Sequence, residues 1–349
     1  MRPSPSRVPD PREPLLLRLL AAGFSPTQTP ARTLSRDELD AALACAHDHR
    51  VEGLAARNAA LFGYDVDATV VRRATARSLM MGAAALAIGR LLSESGVQHV
   101  FFKGVVSDEL LFAGSGARGT SDVDVLVDDL AAAANALASV VSGPAIELAR
   151  PWLPHTRRTR TLPVRVAGLA VLADVQSQWL SDPLGDDTRG VLARAVREHG
   201  RLPRPSLEDY AAYLGGNLVL DRFSGRLKLA LDLAMLLRRD DVDWRLVVAR
   251  ARAWGCGGAL WALASFVGTE LGVPSPAWLL DELLPPRWRR RLLLASMRGA
   301  PIAGAFTRAL ETDSLFAGAR HFVRYVPARL VDHFVDERRP GRRSARGSP

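Results

Sequence analysis

Phe101-Phe-Lys-Gly-Val-Val-Ser-Asp-Glu-Leu-Leu-Phe-Ala-Gly-Ser-Gly-Ala-Arg-Gly-Thr-Ser-Asp-Val-Asp-Val-Leu-Val-Asp-Asp129 is the stretch whose reading decides the fold. Its centre is Asp122-Val123-Asp124, which runs on into an apolar segment ending at Val127. Side chains on a strand alternate, so Asp122, Asp124 and Leu126 share one face and Val123, Val125 and Val127 the other. The valine face asks for a core. The acidic face puts two like charges about 7 Å apart along the strand, an arrangement that asks for a cation. Magnesium suits it, because it takes carboxylate oxygens and keeps positions open for phosphate oxygens.

Working outward, Val97–Phe102 reads as a strand that ends at Lys103-Gly104, and Val105–Phe112 reads as a short helix. A glycine at a helix start lets backbone N–H groups approach a phosphate, and the helix dipole favours the anion. Gly114-Ser115-Gly116 imitates such a turn. Only six residues separate Ser115 from Asp122, too few for the intervening helix, whereas seventeen separate Gly104 from Asp122. The phosphate turn is therefore expected at Lys103-Gly104, and 114–121 is the loop into the acidic strand; Ser107, in the first helical turn, is either a further phosphate contact or a plain helix residue.

Upstream, residues 15–62 read as helices, one of them capped by Ser35, and 66–95 as a long helix. His47-Asp48-His49 is no metal motif, because i and i+2 positions diverge on a helix. Downstream, Asp128 and Asp129 cap a helix expected over 130–141. Residues 144–165 are proline-rich and basic, and Val164–Gln176 reads as a hairpin turning near Gly168. In its second arm Ala170, Leu172 and Asp174 share a face, making Asp174 a candidate third acid. Helices are expected over 186–199, 206–221, 225–239, 243–254, 257–272, 276–283, 286–298 and 315–334. Lys228 and Asp232 stand one turn apart and read as a structural pair. The sequence thus divides into a disordered 1–14, a helical region 15–95, an α/β core 96–182, a helical domain 183–335 and a basic, disordered tail 336–349.

Composition limits the partners. The chain has 349 residues, 48% of them apolar, and a net charge of +9. The last twelve residues supply five arginines and no acid, and the first thirteen one net positive charge, so only +3 is left for the rest. That is too little to favour a long nucleic acid. The weakly polar run 255–267 is too short to span a bilayer and the N-terminus lacks an apolar signal core, so a cytoplasmic protein is expected. Cys45 and Cys256 stand far apart in apolar contexts and read as buried thiols. Of 46 basic residues only Lys103 and Lys228 are lysines, which hints at sites wanting a compact ammonium.

Asp-x-Asp on a strand preceded by a glycine turn and helix suits phosphoryl transfer from a nucleoside triphosphate. The arrangement resembles the nucleotidyltransferase superfamily with the DNA polymerase β-type palm. Within it, the chain resembles a bacterial family whose motif runs Lys-Gly, a helix, Arg, then Asp-Ile-Asp-Leu-Leu-Val. The matching residues are Lys103-Gly104, Arg118 and Asp122–Val127. Leu229–Trp244 and Leu271–Pro276 are also similar to that family. Gln178 stands where relatives often carry histidine. The resemblance implies an α+β fold: a small mixed-sheet palm flanked by N-terminal helices and a C-terminal helical domain. It implies transfer of an NMP from an NTP with release of pyrophosphate. Asp122, Asp124 and Asp174 would be catalytic and would hold Mg2+, in a two-metal site. Lys103, Gly104, Ser107 and Arg118 would meet the phosphates, Arg118 either steadying the triphosphate or bracing the acids. The acceptor is expected to be a small molecule, a peptide or a protein. A nucleotide-binding sensor or scaffold without turnover, or a tailoring enzyme of peptide natural-product biosynthesis, are the alternatives.

Overall fold

The computed structural model describes residues 10–24, 34–144, 159–166, 168–181, 184–221, 223 and 225–298. Four helices come first: α1 (Glu13–Phe24), α2 (Arg36–Asp48), α3 (Glu52–Leu61) and α4 (Ala68–Glu94). Ser35 and Glu38 form a reciprocal capping box that starts α2, as the Ser-x-x-Glu spacing predicts. Described structure begins inside the stretch read as disordered. Arg12 pairs with Asp10 and Asp48 at 2.6 and 2.7 Å, and Glu13 opens α1.

Strands β1 (His99–Phe102), β2 (Asp122–Val127), β3 (Thr159–Val166) and β4 (Leu169–Gln176) form one mixed sheet in the order β1-β2-β4-β3. β1 runs antiparallel to β2, β2 parallel to β4, and β4 antiparallel to β3. Helix α5 (Gly104–Phe112) links β1 to β2, and α6 (Leu130–Ala136) follows β2. Asp129 caps α6 by accepting from the Ala131 and Ala132 N–H groups. α6 is shorter than the sequence suggests. After a 3₁₀ turn at Ala138–Val140 the sheet edge claims the chain, with Val141 bridging Val164 and the Ser142 N–H donating to the Pro163 carbonyl.

The C-terminal half is helical: α7 (Thr188–Ala193), α8 (Leu207–Leu220), α9 (Arg226–Leu237), α10 (Trp244–Ala253), α11 (Gly257–Glu270), α12 (Ala277–Glu282) and α13 (Arg287–Met297). The helix expected over 186–199 stops at Ala193, because Val196 pairs with Arg204 in an antiparallel bridge. The helix expected over 315–334 and the basic tail lie outside the described residues. The fold is α+β, with helices before and after a small mixed sheet. Among the described residues no helix is long and apolar enough to cross a membrane.

Strand alternation divides the interior in two. Phe101, Val123, Val125, Val127, Ala173 and Val175 pack with Ile88 and Leu92 of α4 in one core. Val100, Phe102 and Leu126 join the larger core of the helical half, with Trp179, Tyr210 and Tyr213. Cys45 and Cys256 are both buried thiols. At the far end, Glu13 Oε1 accepts from Arg226 Nη2 at 2.6 Å, fastening the first helix to the start of α9.

Candidate functional site

The topology brings the charged residues together. β1 leaves the sheet where β2 enters it, so Phe102 lies opposite Asp124 and the Lys103-Gly104 turn emerges beside the acids. On the other side of β2, Asp124 is the register partner of Asp174 and Asp122 that of Leu172. Paired residues on neighbouring strands point the same way. Asp122, Asp124 and Asp174 therefore share the face turned to the helical half, and the valines opposite them are buried against α4.

The turn has an unusual backbone. Lys103 precedes α5 with φ 54° and ψ −133°, a region that a side chain enters at a cost of about 1–3 kcal/mol. Its neighbours hold it there. The Ser107 N–H and hydroxyl both donate to the Lys103 carbonyl, at 2.7 and 2.9 Å. Gly104 is pressed against the loop before β2, and a Cβ there would fall inside the Thr120 side chain. The first N–H groups of α5 have no acceptor within the helix. Ser107 itself is fully buried, its hydroxyl spent on the helix backbone.

Lys103 Nζ lies 2.7 Å from Asp124 Oδ1 and 5.2 Å from the centre of the Phe102 ring. Burial tends to lower its pKa, but Asp124, Tyr213 and Asp221 outweigh this and hold it well above the usual lysine range. Asp124 is 3% exposed. Burial, with help from Asp122 and Asp174, raises its carboxyl to about 6 in spite of Lys103. Asp174 accepts a hydrogen bond from the Thr161 hydroxyl. Its pKa is raised by burial and by Asp122, with Thr161 and Lys103 opposing. The Ser121 hydroxyl donates to Asp122 Oδ1 at 3.2 Å.

This donor set is all carboxylate oxygen, which fits a hard divalent cation such as magnesium. Among the described residues no three acids, histidines or cysteines are gathered closely enough to form a ready-made metal cage. The ammonium of Lys103 stands against Asp124 instead.

Arg118 is held by a buried acid, with Nη1 3.4 Å from the point a Cβ on Gly104 would occupy. Its side chain is 6% exposed, and Nε lies 2.8 Å from Oδ1 of the fully buried Asp232. The contact is ionic without a well-aligned hydrogen bond. Asp232 Oδ2 accepts from the Tyr210 hydroxyl at 2.8 Å. Asp232 thus pairs across the fold, not with Lys228 one turn away.

Sequence reading missed one residue near the site and took another for a structural partner. Asp108, on α5, is 1% exposed. It accepts from the Ser78 hydroxyl, from the Gly116 N–H at 3.0 Å and from the Arg118 N–H at 3.3 Å, and so staples the Gly-Ser-Gly loop to the helix. An acid on the buried side of a largely apolar helix, just before a glycine loop, was the available signal. Arg57 and Thr75, from α3 and α4, hold the Ser115 carbonyl of the same loop. Lys228 is the second residue. It is half-buried and has no hydrogen-bond or ion-pair partner among the described residues. Burial lowers its pKa, as do Arg118 and Arg50, while Asp122 and Asp232 pull it up. Of the basic segment that could meet an anionic substrate or only solvent, His155, Arg157 and Arg158 lie outside the described residues, and Arg160 is exposed on β3.

The mixed sheet thus turns three carboxylates to one face, beside a glycine turn at the start of a helix. The chain belongs to the family described as uncharacterised nucleotidyltransferase, which it matches over residues 35–271, about two thirds of its length. The activity class of that family is nucleotidyl transfer. No curated protein and no solved structure matches the chain.

Proposed function

We propose that the chain is a magnesium-dependent nucleotidyltransferase with a DNA polymerase β-type palm, moving an NMP from an NTP onto an acceptor and releasing pyrophosphate. One observation carries the reading. Asp124 and Asp174 are register partners on adjacent strands, with Asp122 two residues away on the same face, and the Lys103-Gly104 turn opens beside them.

Asp122, Asp124 and Asp174 would hold the metal, in one or two sites, whose charge offsets the negative charge that builds on the leaving pyrophosphate. The N–H groups at the start of α5 bind a phosphate oxygen, because the helix leaves them unpaired. Lys103 and Lys228 approach the triphosphate from the palm and from the helical half. Asp174, with its raised pKa and its hydrogen bond from Thr161, receives the proton of the acceptor hydroxyl. Arg118 acts by bracing the loop into β2 against Asp232. The small net charge outside the termini favours a small molecule, peptide or protein as acceptor over a long nucleic acid.

The test is pyrophosphate release from each NTP with Mg2+ and a panel of acceptors. Asp122→Ala and Asp124→Ala are expected to lower the rate by at least about a thousandfold, or ~4 kcal/mol of barrier. Turnover that persists in both variants overturns the proposal. A second reading, a nucleotide-binding sensor, is favoured by the Lys103–Asp124 contact, which leaves the acids without a preformed metal cage. Saturable NTP binding with no pyrophosphate from any acceptor would select it. Release of a nucleoside diphosphate would select a kinase-like transfer instead.

A further inference from the structure

We propose that Lys103 is an internal counter-ion of the acidic site: its ammonium holds Asp124 until a divalent cation arrives with nucleotide, and Lys103 then passes to the triphosphate. The inference rests on the metal reading above and goes beyond it, because it makes metal and nucleotide binding interdependent.

Three observations support it. The ammonium sits 2.7 Å from Asp124 Oδ1, so a magnesium ion, at about 2.1 Å from a carboxylate oxygen, would meet a like charge at the same atom. One of the two cations must leave. The Lys103 side chain is also 28% exposed, so it has an open side on which to move, and lysine is a point charge on a flexible stem that re-aims without losing a fixed fork geometry. Finally, the strained backbone of Lys103 fixes the root of that stem at the phosphate turn itself. The side chain therefore pivots between the acids and whatever anion binds at the start of α5. Tyr213 and Asp221 lie near the ammonium as well, so Asp124 is not its sole electrostatic anchor.

Two measurements test this without reading activity. Mn2+ binding is followed by electron paramagnetic resonance, with and without a non-hydrolysable NTP analogue. In the native chain the analogue is expected to tighten Mn2+ binding, within the ~5–150-fold range of ordinary coupling between sites. Lys103→Met is expected to tighten Mn2+ binding in the absence of nucleotide, to weaken binding of the analogue and to shrink the coupling. The second measurement uses the native sequence. The chain has two lysines, so lysine labelled with 13C at Cε gives two side-chain signals, assigned with Lys228→Arg. The Lys103 signal is expected to shift when Mg2+ and the analogue are added together, toward its position in ligand-free Asp124→Asn.

If Lys103→Met binds Mn2+ no more tightly than the native chain, or the Lys103 signal stays in place when Mg2+ and analogue bind, the counter-ion role is wrong and the metal reading stands. If the native chain binds no Mn2+ even with the analogue, both fall.

Discussion

Two cation–carboxylate pairs of almost equal length stand close to the Lys103-Gly104 turn. Lys103–Asp124 measures 2.7 Å and Arg118–Asp232 2.8 Å. Their surroundings separate them. Arg118 and Asp232 are 6% and 0% exposed, whereas the Lys103 side chain is 28% exposed. A sealed pair cannot exchange partners, and losing one member strands a charge without solvent. A pair open on one side can trade its partner for a ligand. The first kind holds a fold together, and the second kind is available for chemistry.

The sharpest way to break this comparison is to neutralise one acid of each pair. Asp124→Asn is expected to abolish pyrophosphate release, by about a thousandfold or more, with only a small change in denaturant midpoint, because the freed ammonium reaches water. Asp232→Asn strands the Arg118 guanidinium and is expected to cost about 3–5 kcal/mol in urea unfolding. If Asp124→Asn unfolds as readily as Asp232→Asn, the two pairs are alike and the contrast fails.

A pH titration sharpens it further. The Asp124 carboxyl stands at about 6, raised by burial and by Asp122 and Asp174. Between about pH 4 and pH 6 the folded, metal-free chain therefore keeps a proton that the unfolded chain releases. The contribution of Asp124 to stability falls as pH rises through that window, by up to about 3 kcal/mol for a difference of about two units. Chemical unfolding at pH 4, 5, 6 and 7 in the absence of metal tests this, and Asp124→Asn should remove that contribution. A native chain whose stability changes with pH just as that of Asp124→Asn does would contradict the raised pKa.

The sequence made the local geometry readable and left the long-range pairing open. Alternation put Asp122 and Asp124 opposite Val123 and Val125, and the two cores divide along that line. Counting residues was enough to place a helix after Lys103-Gly104 and none between Gly114-Ser115-Gly116 and the acidic strand, because a helix needs room, and α5 fills that room. Alternation names a face but not a neighbour, so nothing local revealed that β2 and β4 run parallel with Asp124 beside Asp174. Arg118 was ambiguous for the same reason. A guanidinium near an acidic strand suits phosphate as well as a buried aspartate, and its partner Asp232 is more than a hundred residues away in sequence. Lys228 looked paired because helical spacing supplies Asp232, and only the tertiary contact with Arg118 shows that the acid is already taken.

Gly104→Ala examines the wall between the two pairs. The added methyl would enter the Thr120 side chain, and Arg118 Nη1 lies 3.4 Å from the same point. Overpacking of this kind costs about 1–3 kcal/mol. The shift should weaken NTP binding as well as stability, since the turn and the loop into β2 move together. A fully stable and active Gly104→Ala variant would show that the close approach is dispensable.

The smallest expected effect falls on Lys228, which belongs to neither pair. A half-buried ammonium with no partner among the described residues contributes nothing to stability, and burial lowers its pKa. Such a residue resembles other site groups kept at the expense of fold stability. Lys228→Met should therefore leave urea stability unchanged or slightly higher, while raising KM for the NTP by about tenfold, or ~1.4 kcal/mol, with kcat little altered. The division between KM and kcat decides the point. Uniform binding of the triphosphate moves KM alone, whereas a structural lysine would lower stability and leave KM in place.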